Sequence, residues 1–234
     1  MDYEEVISRL NSHSDPSAVE GMARFGINST NTLGVSIPTI RKIAKEIGSD
    51  HSLAQELWAS KIHEARILAP MIDDPKQVTQ TQMEQWAKDF DSWDICDQCC
   101  SNLFDKTTNA FQMARKWSSR NEEFVKRAAF ALVAALAVHD KKSTNAQFQS
   151  FLPIIEREST DERNFVRKAT NWALRQIGKR NMRLNILAIK TARQIQRKNS
   201  KSARWIASDA IRELTSASVQ KKLRKNTRVV GPDH

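Results

Sequence analysis

Three side chains stand out for the chemistry they could do. In Asp91-Ser92-Trp93-Asp94-Ile95-Cys96-Asp97, Trp93 and Asp97 are four residues apart, so on a helix they share one face. The third is Trp172, in a basic stretch with Arg175 one turn later. An indole face attracts a cation. A carboxylate shielded from water can stabilise a developing positive charge or orient a water molecule. A plainer reading also fits Trp93 and Asp97: a Trp half-buried between helices, with acidic residues near a helix start favoured by the macrodipole. Trp172 tilts the balance toward a local role. It stands where an earlier, similar segment has Ala131, and segments that only pack a core usually keep their size.

Other chemistries find little support. Cys96, Cys99 and Cys100 lie within one helical turn, but no second cysteine pair exists and the five histidines show no paired spacing, so these read as buried thiols rather than a zinc site. Three cysteines are an odd number, which fits a reducing compartment better than a disulfide framework. No phosphate-binding glycine loop, dinucleotide fingerprint or nucleophile elbow is present. Neither a cofactor nor a metal is expected.

The elements that must carry these residues read as helices throughout. Apolar residues recur at i, i+3, i+4 over 3–11, 17–25, 37–47, 51–58, 62–72, 80–90, 92–104, 108–117, 121–138, 146–157, 163–178, 183–197, 201–214 and 216–224. Gly and Pro number six each in 234 residues, too few turns for many short strands. Asp15-Pro16, Ile37-Pro38, Thr79 and Ser200 supply helix starts. Trp58, Trp86, Trp117 and Trp205 read as packing between helices. Residues 1–225 are expected to form one domain and 226–234 a disordered tail. The acidic, amphipathic start does not resemble a signal peptide, so a cytoplasmic protein is expected.

Charge divides along the chain. Residues 1–100 carry 9 Lys and Arg against 16 Asp and Glu, a net of −7, and residues 101–234 carry 28 against 11, a net of +17. So basic a half points to a polyanion, of which nucleic acid is the commonest for a soluble protein. A repeat underlies it. Phe124-Val125-Lys126-Arg127-Ala128 falls on Phe165-Val166-Arg167-Lys168-Ala169 at an offset of 41, and Ala173–Ile177 finds a weaker echo in Ala210–Leu214 at 37. Such periods mark HEAT and armadillo arrays. The fold class expected is therefore all-α, an α-solenoid of stacked helical hairpins. The basic pairs Lys126-Arg127 and Arg167-Lys168 would lie in register as a positive stripe on its concave face, unless they are only each helix's polar side.

At this level of detail the chain resembles the DNA alkylation repair glycosylases of the AlkD-like type, over residues 20–215. The likeness rests on GMARFG (21–26), TLGVSIPTIRKI (32–43), ELW (56–58), SWDICD (92–97), VKRAA (125–129) and NFVRKATNWALRQIGK (164–179). It implies that Trp93, Asp97 and Trp172 form the reactive constellation and that Arg127 binds phosphate, with Lys126, Arg167, Lys168 and Arg175 as supporting DNA contacts. Two departures stand out: Ser92 where the family often has a second Trp, and Phe25 where some members have Tyr. The activity implied is hydrolysis of the N-glycosidic bond of alkylated purines such as 7-methylguanine or 3-methyladenine in duplex DNA, without a deep base pocket. The sequence shows no helix-hairpin-helix glycine motif and no lysine placed for a Schiff base, so no lyase activity is expected, and a monomer is the default. The other readings are a noncatalytic HEAT-repeat protein that binds DNA structure or damage, and a protein-interaction scaffold, which the charge split disfavours.

Overall fold

A computed structural model describes residues 1–229, with side chains to residue 225. Of the expected disordered tail, residues 226–229 belong to the last helix, and 230–234 lie outside the described residues. Every regular element is helical among the described residues. The chain groups into two compact units, one ending at Ala110 and the other starting at Phe111.

The first unit holds α1 (Tyr3–Ser12), α2 (Pro16–Ala23), α3 (Ile37–Ile47), α4 (His51–Ala59), α5 (His63–Ile72), α6 (Gln80–Lys88), α7 (Trp93–Asn102) and a 3-10 turn, Phe104–Lys106. Its helix starts follow from short polar side chains that accept otherwise orphaned backbone N–H groups. Asp2 and Glu5 form a reciprocal capping box on α1. Asp15 caps α2, whose first residue is Pro16, and Ser36, Asp50 and Thr79 cap α3, α4 and α6. Helix α5 is the hub: all of its residues except Met71 are buried, and it packs against α3, α4 and α7. Trp58 and Trp86 stack with ring centroids 4.1 Å apart and planes 2° from parallel. An aromatic pair of this kind adds about 0.5–1.5 kcal/mol beyond its buried area.

The second unit continues α8 (Ala110–Trp117) into α9 (Glu123–His139), α10 (Asn145–Gln149), α11 (Leu152–Glu158), α12 (Asn164–Gly178), α13 (Met182–Gln196), α14 (Lys201–Leu214) and α15 (Ala217–Val229). One expected helix, 146–157, is two. Pro153 lacks an N–H and its ring would collide with the carbonyl four residues back, so the chain restarts at Leu152 with Pro153 in the first turn of α11. Helix α9 is buried from Val125 to Ala137 and lies against α12, which in turn packs on α13 and α14. Gly178 makes the last contact close: a Cβ there would stand 2.7 Å from a Leu214 methyl.

The repeat read from the sequence is built as stacked neighbours. Phe124 and Phe165, equivalent at the offset of 41, meet with centroids 5.5 Å apart. Between α12 and α14 the facing residues are 38 apart: Arg167 with Trp205, Asn171 with Asp209, and Arg175 with Glu213. Helix α9 is closed at its C-terminus by Arg180. That guanidinium donates to the carbonyls of Ala137 (2.9 Å), Asp140 (2.6 Å) and Ser143 (3.3 Å) and lies 3.9 Å from the Phe148 ring centroid.

Candidate functional site

Helix α7 has a sharp inside and outside. Ile95, Cys96, Cys99 and Cys100 are buried, while Trp93, Asp97, Gln98, Ser101 and Asn102 are half-exposed. The half-exposed set recurs every three to four residues, the helical period that puts residues on one face. Trp93 and Asp97 therefore share a solvent-reaching stripe, one turn apart.

The start of this stripe is anchored from below. Ser92, fully buried, is the N-cap residue of α7, and its hydroxyl donates to Asp94 Oδ1 at 2.7 Å. Asp94 Oδ2 meets His63 Nε2 at 2.9 Å, with His63 only 3% and Asp94 8% exposed. Burial alone would push the His63 imidazole down, but the hydrogen bond with Asp94, that carboxylate's charge, and the nearby Glu64 and Asp91 lift it above the ordinary histidine value. Burial likewise opposes ionisation of Asp94, yet His63, Ser92 and the Ile95 amide hold it below the usual carboxylate range. Both groups thus favour the charged pair.

A loop is clamped over the same end. Trp93 Nε1 donates to the Phe25 carbonyl at 3.0 Å, and Asn28 donates to Asp91 at 2.9 Å. Glu64, with no exposed surface, accepts from the amides of Leu33 (2.8 Å), Gly34 (2.7 Å) and Val35 (3.3 Å). Gly34 is at φ +82, and a Cβ there would stand 2.1 Å from the Asp15 carbonyl oxygen, so only glycine fits. Ser92 and Phe25 both take part in this anchoring. Ser92 sits in a sealed pocket where its small hydroxyl is fully used. Phe25 is 73% exposed, and its backbone carbonyl, not its side chain, holds the indole.

Helix α12 carries a second stripe. Asn164, Lys168, Trp172, Arg175, Gln176 and Lys179 reach solvent wholly or in part, while Val166, Ala169, Ala173 and Leu174 are buried. Trp172 is half-exposed, with exposed Lys168 one turn before it and Arg175 one turn after. Arg175 pairs with Glu213, which also takes Lys179 at 2.6 Å, and lies 3.6 Å from Asp209. Arg167 lies over Trp205, 5.2 Å from its ring centroid. The other proposed cations are deeper. Lys126, 9% exposed, is held by Glu158 at 2.8 Å and Asp161 at 3.4 Å, and Arg127, 5% exposed, donates to the Phe165 carbonyl at 2.8 Å. Lys126 and Arg127 are thus buried on internal partners rather than lying open as half of a surface stripe. Lys168 alone of the five is fully exposed.

Sequence reasoning missed His63 and Asp94 as a pair. It sought histidines at metal-ligand spacing, whereas this partner is 31 residues away. It also took Trp205 for packing, and that indole is 39% exposed. Trp58, Trp86 and Trp117 are buried as expected, and so are all three cysteines, with burial raising the Cys99 and Cys100 thiols well above their ordinary value. Among the described residues no cluster of His, Cys, Asp and Glu could hold a metal ion, and no helix is long and apolar enough to cross a membrane.

The family model for the DNA alkylation repair enzyme matches residues 6–214. The chain belongs to that family. Both stripes, from Trp93 to Asn102 on α7 and from Asn164 to Lys179 on α12, fall inside the part of the chain that carries the DNA alkylation repair signature. Among solved structures, a member of "a new family of proteins related to the HEAT-like repeat DNA glycosylases with affinity for branched DNA structures" is similar with a TM-score of 0.77 at 19% identity, over 97% of this chain and 95% of that one. This likeness shows that the DNA alkylation repair chain has the HEAT-like repeat fold. A designed armadillo repeat protein in complex with a (KR)4 peptide gives a TM-score of 0.39 at 15% identity, over 82% of this chain and 81% of that one. No curated protein sequence matches the chain.

Proposed function

We propose that the protein is a DNA glycosylase that hydrolyses the N-glycosidic bond of alkylated, cationic purines such as 7-methylguanine and 3-methyladenine. The observation that carries this reading is the solvent-reaching pairing of Trp93 and Asp97 on α7, inside a chain of the DNA alkylation repair family.

The chemistry follows from the charge of the lesion. Alkylation at N3 or N7 leaves the purine cationic, so it departs as a neutral base with little help from an acid. The bond from C1′ to the purine nitrogen breaks with its electron pair going to the base. Positive charge then gathers on the sugar, as in glycoside hydrolysis generally. Asp97, a carboxylate one turn from the indole, stabilises that charge and orients the water whose oxygen adds to C1′ and whose proton passes to the carboxylate and from it to solvent. An indole face favours a cationic lesion over a neutral purine by about 0.5–2 kcal/mol, the role proposed for Trp93 in the first unit and, separately, for Trp172 in the second. Lys168 is the most accessible phosphate contact. Arg167 and Arg175 support it from half-buried positions, and Arg127 and Lys126 would reach phosphate only by leaving their internal partners. Helix α7 itself carries no lysine, and the enzyme proposed is monofunctional, a monomer, and acts on duplex DNA.

The test is release of methylated base from alkylated duplex DNA by the wild type and Asp97→Asn. Release by the wild type, lost in the variant while DNA binding persists, supports the reading. DNA binding without release by the wild type refutes it. That outcome would favour a second reading, noncatalytic binding to DNA structure, which the solved neighbour's described affinity for branched DNA gives a specific reason to keep.

A further inference from the structure

Trp205 does not fit a purely structural role. It is 39% exposed on α14, a large indole left in water, where an aromatic of this size is ordinarily covered. Its surroundings are selected in charge. From Arg163 to Ser208 the sequence holds thirteen Lys and Arg and no Asp or Glu. On α14, exposed Lys201 precedes the indole by one turn and exposed Arg204 adjoins it; on α12, Lys168 is exposed next to Arg167. Farther along, the cations are neutralised, Arg212 by Asp209 within α14 and Arg175 of α12 by Glu213 on α14. A carboxylate also stands nearby: the Ser200 hydroxyl at 2.7 Å and the Ser202 amide donate to Glu162 and hold it below the usual carboxylate range, so it stays an anion, within Coulombic reach of Arg167. Against that carboxylate stand Arg167, Lys168, Lys201 and Arg204, so positive charge is in excess at the end of α14 where the indole stands.

The indole is also held in place. The Arg167 guanidinium lies over its ring, 5.2 Å from the centroid. Arg167 is itself steadied by Asn164 Oδ1 at 3.2 Å, and its buried Nε has no hydrogen-bond partner in the structure. An arginine packed on an aromatic face fixes the ring's orientation before any ligand arrives.

We propose that Trp205, backed by Arg167 and flanked by Lys168, Lys201 and Arg204, is a stacking site for an unpaired nucleotide, so that DNA with a single-stranded gap or flap binds more tightly than intact duplex. This deepens the DNA reading above and rests on it. Every base has a π-face, so stacking on an indole needs no particular sequence. A base inside an intact duplex already has both faces occupied by its neighbours and gains nothing from the indole. A base freed by a gap gains a partner, while the surrounding cations hold its phosphates. The site lies wholly within the second unit and uses neither Asp97 nor Trp93, so it adds to recognition without entering the hydrolysis.

The experiment compares binding of an intact duplex and the same duplex with a short single-stranded gap, both unalkylated and at one salt concentration, by the full chain and by Trp205→Ala and Trp205→Phe. The wild type should prefer the gapped DNA by about 5- to 100-fold, the range that stacking of one base supplies. Trp205→Ala should bring the ratio to near one while leaving intact-duplex affinity within about twofold, and Trp205→Phe, which keeps an aromatic face, should restore most of it. A wild type that binds both DNAs equally, or an alanine variant that keeps the preference, overturns the stacking site and leaves the DNA reading standing. A wild type that binds neither DNA at low salt overturns both.

Discussion

Replacing Asp94 by Ala isolates the buried pair beneath the α7 stripe. The substitution leaves His63, 3% exposed, and the fully buried Ser92 hydroxyl without the carboxylate they share. Removing one partner of a buried ion pair costs about 3–5 kcal/mol, because the other is left uncompensated. At about 2–4 °C per kcal/mol for a protein of this size, Tm should fall by roughly 6–20 °C. The loss should depend on pH, in a direction set by both shifts. His63 is raised above its ordinary 6.5, so its contribution is complete below that value and fades as pH rises through the folded pKa. Asp94 is lowered from 3.8, so its contribution holds above that value and fades only as pH falls through its folded pKa. Between these limits the wild type has its full advantage; above them, a neutral imidazole tolerates burial in the variant. Thermal unfolding followed by circular dichroism at about pH 5.5 and about pH 8.5 should therefore show the larger gap between wild type and variant at the acid value. A gap below about 1 kcal/mol, or one that widens toward alkaline pH, would refute the assignment of a charged pair here.

Other expectations are shorter. Asp97→Asn should lower base release from alkylated duplex by at least about 100-fold in single-turnover assays, with duplex affinity unchanged by fluorescence anisotropy. Gly34→Ala forces both an unfavourable φ and a clash with the Asp15 carbonyl, so denaturant unfolding should show a loss of at least about 2 kcal/mol. Arg180→Ala strips the α9 C-terminus of donors to three carbonyls and should cost about 2–3 kcal/mol in the same assay. Lys168→Ala should weaken duplex binding at all sequences and reduce its salt slope by about one, as read from affinities at several salt concentrations.

Much of this architecture is written in local signals. Helix boundaries followed short polar caps such as Asp15, Ser36, Thr79 and Ser200, because a side chain two or three residues from its target amide is a sequence-local event. The repeat was legible for a similar reason: Phe124 and Phe165 occupy the same helical phase, and they touch. What escaped was long-range pairing. Lys126-Arg127 looks like surface charge until Glu158, Asp161 and the Phe165 carbonyl are brought beside it. His63 gave no sign of Asp94, and Trp205 looked like Trp117 although one is open and the other sealed. Composition tells which residues are charged or aromatic; only packing tells which of them have already been spent on neighbours.

The three rungs between α12 and α14 have a consequence for how this chain can change. Arg167 with Trp205, Asn171 with Asp209 and Arg175 with Glu213 all span the same 38 residues. An insertion or deletion of a single residue anywhere in α13 or its two turns would shift every rung together, unless the turns absorbed it. Length variation should therefore be resisted in this stretch even where side chains are freely exchanged, and a homologue of altered spacing should have lost the rungs as a group.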